Sequence, residues 1–199
     1  MAPKLTIEKF NELKDTVFLI DTRHPEIFAK EFIQGSINIP IEGAFYKWAI
    51  QVVPKNSSII LITDNEDTIA ETIRQLAYIN FNHILGFIVF DPSLNLKNET
   101  LKLLNVMDLH NNIDDYYVVD VRTTQEWNDG HIESAHHMDL AEFQKKLESI
   151  PKDKQVAITC GAGFRSSVAA SILKGSGHEN VASIQGGMRA WNQANLPIK

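Results

Sequence analysis

Short apolar runs recur along the chain, each giving way to a polar turn and then to a segment of helical spacing. Phe18 to Asp21, Ser58 to Thr63, Tyr117 to Asp120 and Gln155 to Thr159 read as strands, and further strands begin at Ile84 and Val181. Thr68 to Ile79 and Ser166 to Lys174 read as helices that follow polar loops. The longer strand runs are apolar without alternation, which marks strands covered on both faces. The pattern predicts an α/β fold, built from small parallel β-sheets with helices on both faces.

The pattern runs twice. Phe18-Leu19-Ile20-Asp21-Thr22-Arg23 reappears as Tyr117-Val118-Val119-Asp120-Val121-Arg122, with Asp21 and Asp120 lying 99 positions apart. The same offset pairs Phe28 with Trp127 and Ile33 with Ile132, and it matches Ile37-Asn38-Ile39 to His136-His137-Met138. Asp91 to Glu99 is polar, contains Pro92 and belongs to neither copy. The expected organisation is a domain over residues 1–92, a linker over 93–99 and a second domain over 100–199.

A chain of 199 residues that is 44% hydrophobic has enough apolar material for two small cores. Its formal net charge of −6, without a long basic run, argues against nucleic acid as a partner. No apolar stretch approaches the about 18 residues of a membrane helix, and Met1-Ala2-Pro3-Lys4 leads into polar sequence. The expectation is a cytoplasmic protein without a membrane partner. One cysteine, Cys160, excludes an internal disulfide and a thiolate-rich metal site.

A lone cysteine is by default a buried, inert thiol, and the context of Cys160 argues otherwise. Val156-Ala157-Ile158-Thr159 delivers it to the carboxyl edge of a parallel sheet, where open α/β folds bind ligands. Gly161 and Gly163 let the following backbone curl so that successive N–H groups point inward, and Ser166 or Ser167 is expected to cap the next helix. With Arg165 nearby, the loop Cys160-Gly161-Ala162-Gly163-Phe164-Arg165 reads as an anion cradle that favours the thiolate, a nucleophile towards sulfane sulfur. Arg165 is expected to bind an anionic donor or to neutralise charge in the loop. Arg189, just past Gly186-Gly187, is a further candidate for the donor, and Asp120 and Arg122 lie on the same sheet edge as supporting residues.

Val119-Asp120-Val121-Arg122, Glu126-Trp127, Gly130-His131-Ile132, the Cys160 to Arg165 loop and Gly186-Gly187-Met188-Arg189-Ala190-Trp191 are five pieces in order across the second half. Together they resemble a rhodanese domain. The resemblance implies a sulfurtransferase with Cys160 as persulfide carrier and Gly161, Ala162, Gly163, Phe164, Arg165, Ser166 and Arg189 around the substrate. It further implies a small-molecule sulfur donor, a thiol or cyanide acceptor, no cofactor and a mostly structural role for Asp120 and Arg122. The first half resembles the family more distantly; Gly35-Ser36-Ile37-Asn38-Ile39-Pro40 and Trp48 are similar to the tandem rhodanese portion of bacterial persulfide dioxygenase–rhodanese fusions. That implies a persulfide dioxygenase domain or protein as a partner. No His-x-His-x-Asp-His cluster occurs, so no iron site is expected in this chain.

At the place aligned with Cys160 the first half carries Asp64, in a loop Asp64-Asn65-Glu66-Asp67 that lacks cysteine, glycine and arginine. This domain is expected to be inactive, with Thr68-Ile69-Ala70-Glu71 serving only as a capping box. The acids lack the spacing of an EF-hand, and His136 and His137 point to opposite faces of a strand, so no metal site is expected. His131 is read as structural, and Trp127, Trp191, Phe143 and Leu147 as core. Two other readings compete. Cysteine phosphatases and arsenate reductases also cradle a cysteine, with one residue more before their arginine, a position that Ser166 fills here. A non-catalytic sulfur-binding or regulatory module is the other.

Overall fold

The unbroken apolar runs become the central strands of two separate parallel sheets, in a computed structural model that describes residues 2–94 and 96–199. Met1 and Asn95, the latter inside the expected linker, lie outside the described residues. The chain forms two units, Met1–Thr100 and Leu101–Lys199. The first contains α1 (Ile7–Leu13), β1 (Phe18–Asp21), α2 (Pro25–Lys30), β2 (Phe32–Ile33), β3 (Ile37–Asn38), α3 (Phe45–Val52), β4 (Ile59–Thr63), α4 (Ile69–Tyr78), β5 (Ile84–Val89) and β6 (Asn98–Glu99). The second contains β7 (Lys102–Leu104), α5 (Val106–Asn111), β8 (Tyr116–Asp120), α6 (Thr124–Asn128), β9 (His136–His137), α7 (Leu140–Phe143), β10 (Gln155–Thr159), α8 (Phe164–Gly175), β11 (Val181–Ile184) and α9 (Gly187–Gln193).

The sheets run β3-β1-β4-β5 and β7-β11-β10-β8-β9, with parallel neighbours throughout. In the middle strands, Ile59 to Ile62 and Val156 to Ile158 are fully buried, which is why their sequences show no alternation. Each unit has its own apolar cluster. Phe10, Leu19, Ile33, Ile60, Ile62 and Ile88 form one; Leu104, Leu109, Val118, Ala157, Met188 and Trp191 belong to the other. Asn98 and Glu99, at the end of the expected linker, pair antiparallel with Ile33 and Phe32 and so belong to the first unit's edge.

The same device closes β1 and β8. Asp21 takes the Nε and Nη2 groups of Arg23, and Asp120 those of Arg122, in ion pairs that are almost wholly buried. Each arginine then donates Nη2 to a carbonyl eight residues on, Glu31 O at 3.0 Å or Gly130 O at 2.8 Å. A buried carboxylate is tolerated only with such partners, and the pairing ties the strand end to the chain beyond the next helix.

Two local expectations change. The hydrogen-bond ladder sets Asp21 level with Ile62 but Asp120 level with Thr159, and Thr22 N donates to Ile62 O as Val121 N donates to Thr159 O. Thr63, not Asp64, therefore stands where Cys160 stands. Successive residues of a strand face opposite ways; Thr63 is buried like Cys160, whereas Asp64 is exposed. Thr68 also makes no capping hydrogen bond to α4. Its hydroxyl donates to Asn65 O, and Asn65 caps the 3₁₀ turn Glu66–Thr68 that precedes the helix.

Candidate active site

Strand β10 lies between β8 and β11, so its carboxyl end is flanked by other strand ends, and there it releases Cys160. The residue is 1% exposed, and Gly163 N donates to its Sγ at 3.2 Å. Gly163 has φ +97 and caps α8, a conformation that a side chain would strain. The helix consequently starts at Phe164, so Ser166 and Ser167 do not cap it as expected but lie within its first turn. The Ser166 hydroxyl is turned to the sulfur instead, 3.6 Å from Sγ, and it also lies 2.8 Å from Ser183 Oγ on β11.

A second loop clamps the first. Met188 N donates to Cys160 O at 2.7 Å and Arg189 N to Gly161 O at 2.9 Å. This approach is possible only because residue 187 is glycine: its φ is +54, and a Cβ there would collide with Cys160 O. The Arg189 side chain is exposed, so its fixed contribution is the backbone N–H.

Arg165 is held in a fork by Glu126, with Nη1 and Nη2 each donating at 2.6 Å to a carboxylate oxygen. That bidentate pair holds the Glu126 carboxyl at about 2, well below its ordinary value; the Thr123 hydroxyl and amide, which also donate to Glu126, add to the effect. Glu126 in turn makes the Arg165 guanidinium harder to deprotonate than usual, against the penalty of burial, and Cys160 adds to this. Glu126 is placed by a capping box, in which Thr123 Oγ1 accepts from Glu126 N while the carboxylate reaches back to Thr123 N.

Beneath this layer, His137 Nε2 lies 2.8 Å from Arg122 O, and Trp127 stacks between His131 and His137 with ring centroids at 3.6 and 5.0 Å. Trp127 and Leu147 are thus half-buried rather than core, whereas Trp191 and Phe143 are buried as expected. His136 stacks on Tyr117 and so diverges from His137.

The rhodanese-like domain model matches residues 105–194. The chain is 35% identical over 83 residues to thiosulfate sulfurtransferase GlpE of Vibrio cholerae, covering 42% of this chain and 78% of the relative. The chain belongs to the rhodanese family. It is also 35% identical over 85 residues to a sulfurtransferase of Allochromatium vinosum, covering 43% of this chain and 79% of that one. Among solved structures, a rhodanese-related protein from Thermoplasma volcanium is 31% identical, with a TM-score of 0.48 over 49% of this chain and 97% of its own.

Cys160 to Ser166 occupy the loop after β10 and the first turn of α8, while Asp120 and Arg122 pair with each other at the end of the neighbouring strand β8. Two residues of the site carried no chemical signal in the sequence. Glu126 showed only as part of the Glu126-Trp127 piece, and the Thr-x-x-Glu spacing from Thr123 could have placed it at the helix start facing the sheet edge. Ser183 sits inside the apolar run Val181 to Ile184, and a buried hydroxyl in a central strand was the sole hint. In the first unit Thr63 Oγ1 accepts from Asn65 N at 3.0 Å and lies 3.2 Å from Thr68 Oγ1. A hydroxyl thus occupies the position of the sulfur.

Proposed function

We propose that the second unit is a sulfurtransferase that carries a sulfane sulfur as a persulfide on Cys160, from thiosulfate or a low-molecular-weight persulfide to a thiol or cyanide. The carrying observation is the seat of Sγ at the end of β10, facing the Gly163 N–H and the Ser166 hydroxyl in a loop clamped by Gly187. The names of the Vibrio and Allochromatium relatives support the same reading.

In loading, the Cys160 thiolate bonds to the outer sulfur of thiosulfate, the S–S bond of the donor breaks, and sulfite leaves with the electron pair. The Gly163 N–H, 3.2 Å from Sγ, and the neighbouring Ser166 hydroxyl stabilise the anion that stays behind. Gly161, Ala162, Gly163 and Phe164 form the cradle, Arg165 fixes its shape through Glu126, and Arg189 supplies positive charge at the rim. The first unit, residues 1–100, is non-catalytic, because the Thr63 hydroxyl forms no persulfide. A persulfide dioxygenase domain or protein as partner belongs to the same proposal.

Incubation with thiosulfate or glutathione persulfide followed by intact-mass analysis tests this. The expected result is one added sulfur, removable by thiol and absent from Cys160→Ser. No adduct with either donor overturns the mechanism, and hydrolysis of an aryl phosphate that depends on Cys160, without sulfur loading, would establish the phosphatase reading instead.

A further inference from the structure

The Ser166–Ser183 contact is unusual for its place. Both side chains are essentially fully buried, one on α8 and one in the second strand of the sheet, and their oxygens are 2.8 Å apart. Packing alone does not call for two hydroxyls there, since an alanine pair would fill the space without burying polar groups. In the first unit, which has no thiol, the register position of Ser183 is taken by Phe87, level with Leu61 as Ser183 is with Ile158. The Thr63 and Thr68 hydroxyls of that unit bond the Asn65 carbonyl of their own loop.

We propose that Ser183 is a positioning residue: it donates its hydroxyl to Ser166 Oγ, which turns the Ser166 hydroxyl onto Cys160 Sγ whenever the sulfur is anionic. With the thiol protonated, Sγ donates to Ser166 Oγ, as the geometry has it; with the thiolate, the chain reverses. Ser183 has no other hydrogen-bond partner among the described residues, so it is free to serve either direction.

The inference rests on the sulfurtransferase reading for its consequence, which falls on discharge. The acceptor thiolate bonds to the outer sulfur of the persulfide, the Sγ–S bond breaks, and its electron pair stays on Sγ. The proton of the acceptor thiol passes to the outer sulfur of the anionic persulfide and leaves with it, so the step is an exchange without net oxidation. Cys160 thiolate is the leaving group, and leaving improves as that thiolate is stabilised. Loading gains less, because a stabilised thiolate is also a poorer nucleophile.

Charged and titratable groups around the loop are Arg165 on α8, Glu126 on α6, the Asp120–Arg122 pair at the end of β8, His137 on β9 and Arg189 on α9. Among the described residues neither serine hydroxyl bonds any of them, so a serine variant reads the relay and not those groups.

Because the 199-residue chain has one cysteine, iodoacetamide alkylation of that chain reads Cys160 alone. Ser183→Ala is expected to move the pH profile of alkylation upward by about half a unit, the weight of one neutral hydrogen bond. It should slow discharge of a preloaded persulfide to glutathione by up to about three-fold, the half unit expressed as a rate ratio, while loading changes less. Ser183→Thr should restore both readouts. In a Ser166→Ala background, which itself shifts the profile, Ser183→Ala should add nothing. An unshifted profile in Ser166→Ala, or additive effects of the two variants, overturns the relay even where Ser183→Ala fails to fold. A shifted profile in a protein that takes up no sulfur supports the relay and removes the sulfurtransferase reading.

Discussion

At the scale of single residues, the site depends on contacts that tolerate no extra atom. Gly187 lies under the Cys160 carbonyl in a left-handed conformation, so Gly187→Ala combines a backbone penalty of about 1–3 kcal/mol with displacement of the loop. The expected outcome is lower denaturant stability and at least ten-fold slower alkylation or loading of Cys160; an unchanged rate would show that the clamp is dispensable. Glu126 makes a pH-dependent contribution. Its folded value, about 2, lies below the ordinary 4.5, so the stabilisation from Arg165 is fully present above about pH 4.5 and is lost as pH falls through about 2. Denaturation of wild type and Glu126→Gln should differ by a constant amount above pH 4.5 and converge towards pH 2. With the carboxylate side chain 36% exposed, salt should shrink that difference.

At the scale of elements, the ends of strands and helices decide the chemistry. Helix α6 has only five residues and starts from the Thr123 capping box, so Thr123→Ala should cost the second unit about 1 kcal/mol, measurable by urea unfolding. The sheet register gives a sharper test. In a Cys160→Ser background, Thr63→Cys should resist a disulfide reagent until the protein unfolds, while Asp64→Cys should react at the rate of a free thiol. Equal reactivity would return Asp64 to the position of the missing nucleophile. The string Ile62-Thr63 resembles Ile158-Thr159 and invites the wrong alignment, because side-chain identity does not report how a strand is paired with its neighbour.

At the scale of the whole molecule, one fold is used twice and the cysteine loop once. Each apolar cluster draws on its own unit, so Ile60→Val should lower the stability of the first unit by about 1 kcal/mol and leave persulfide loading at Cys160 unchanged. Parallel loss of loading would show that the first unit supports the second. Much of this architecture was legible in the chain. Apolar runs without alternation determine buried parallel strands, an internal repeat determines two copies, and a cysteine followed by Gly161 and Gly163 after such a run determines that the thiol sits in a loop at a strand end, since these follow from local covalent and hydrophobic constraints. Tertiary structure alone decided that Thr63 faces inward in place of the sulfur, that Arg165 is bound by Glu126, and that Ser183 meets Ser166. Each of those depends on the register and spacing between segments far apart in the chain, which hydrogen bonding between strands and the packing of α8 on the sheet fix only when the chain has folded.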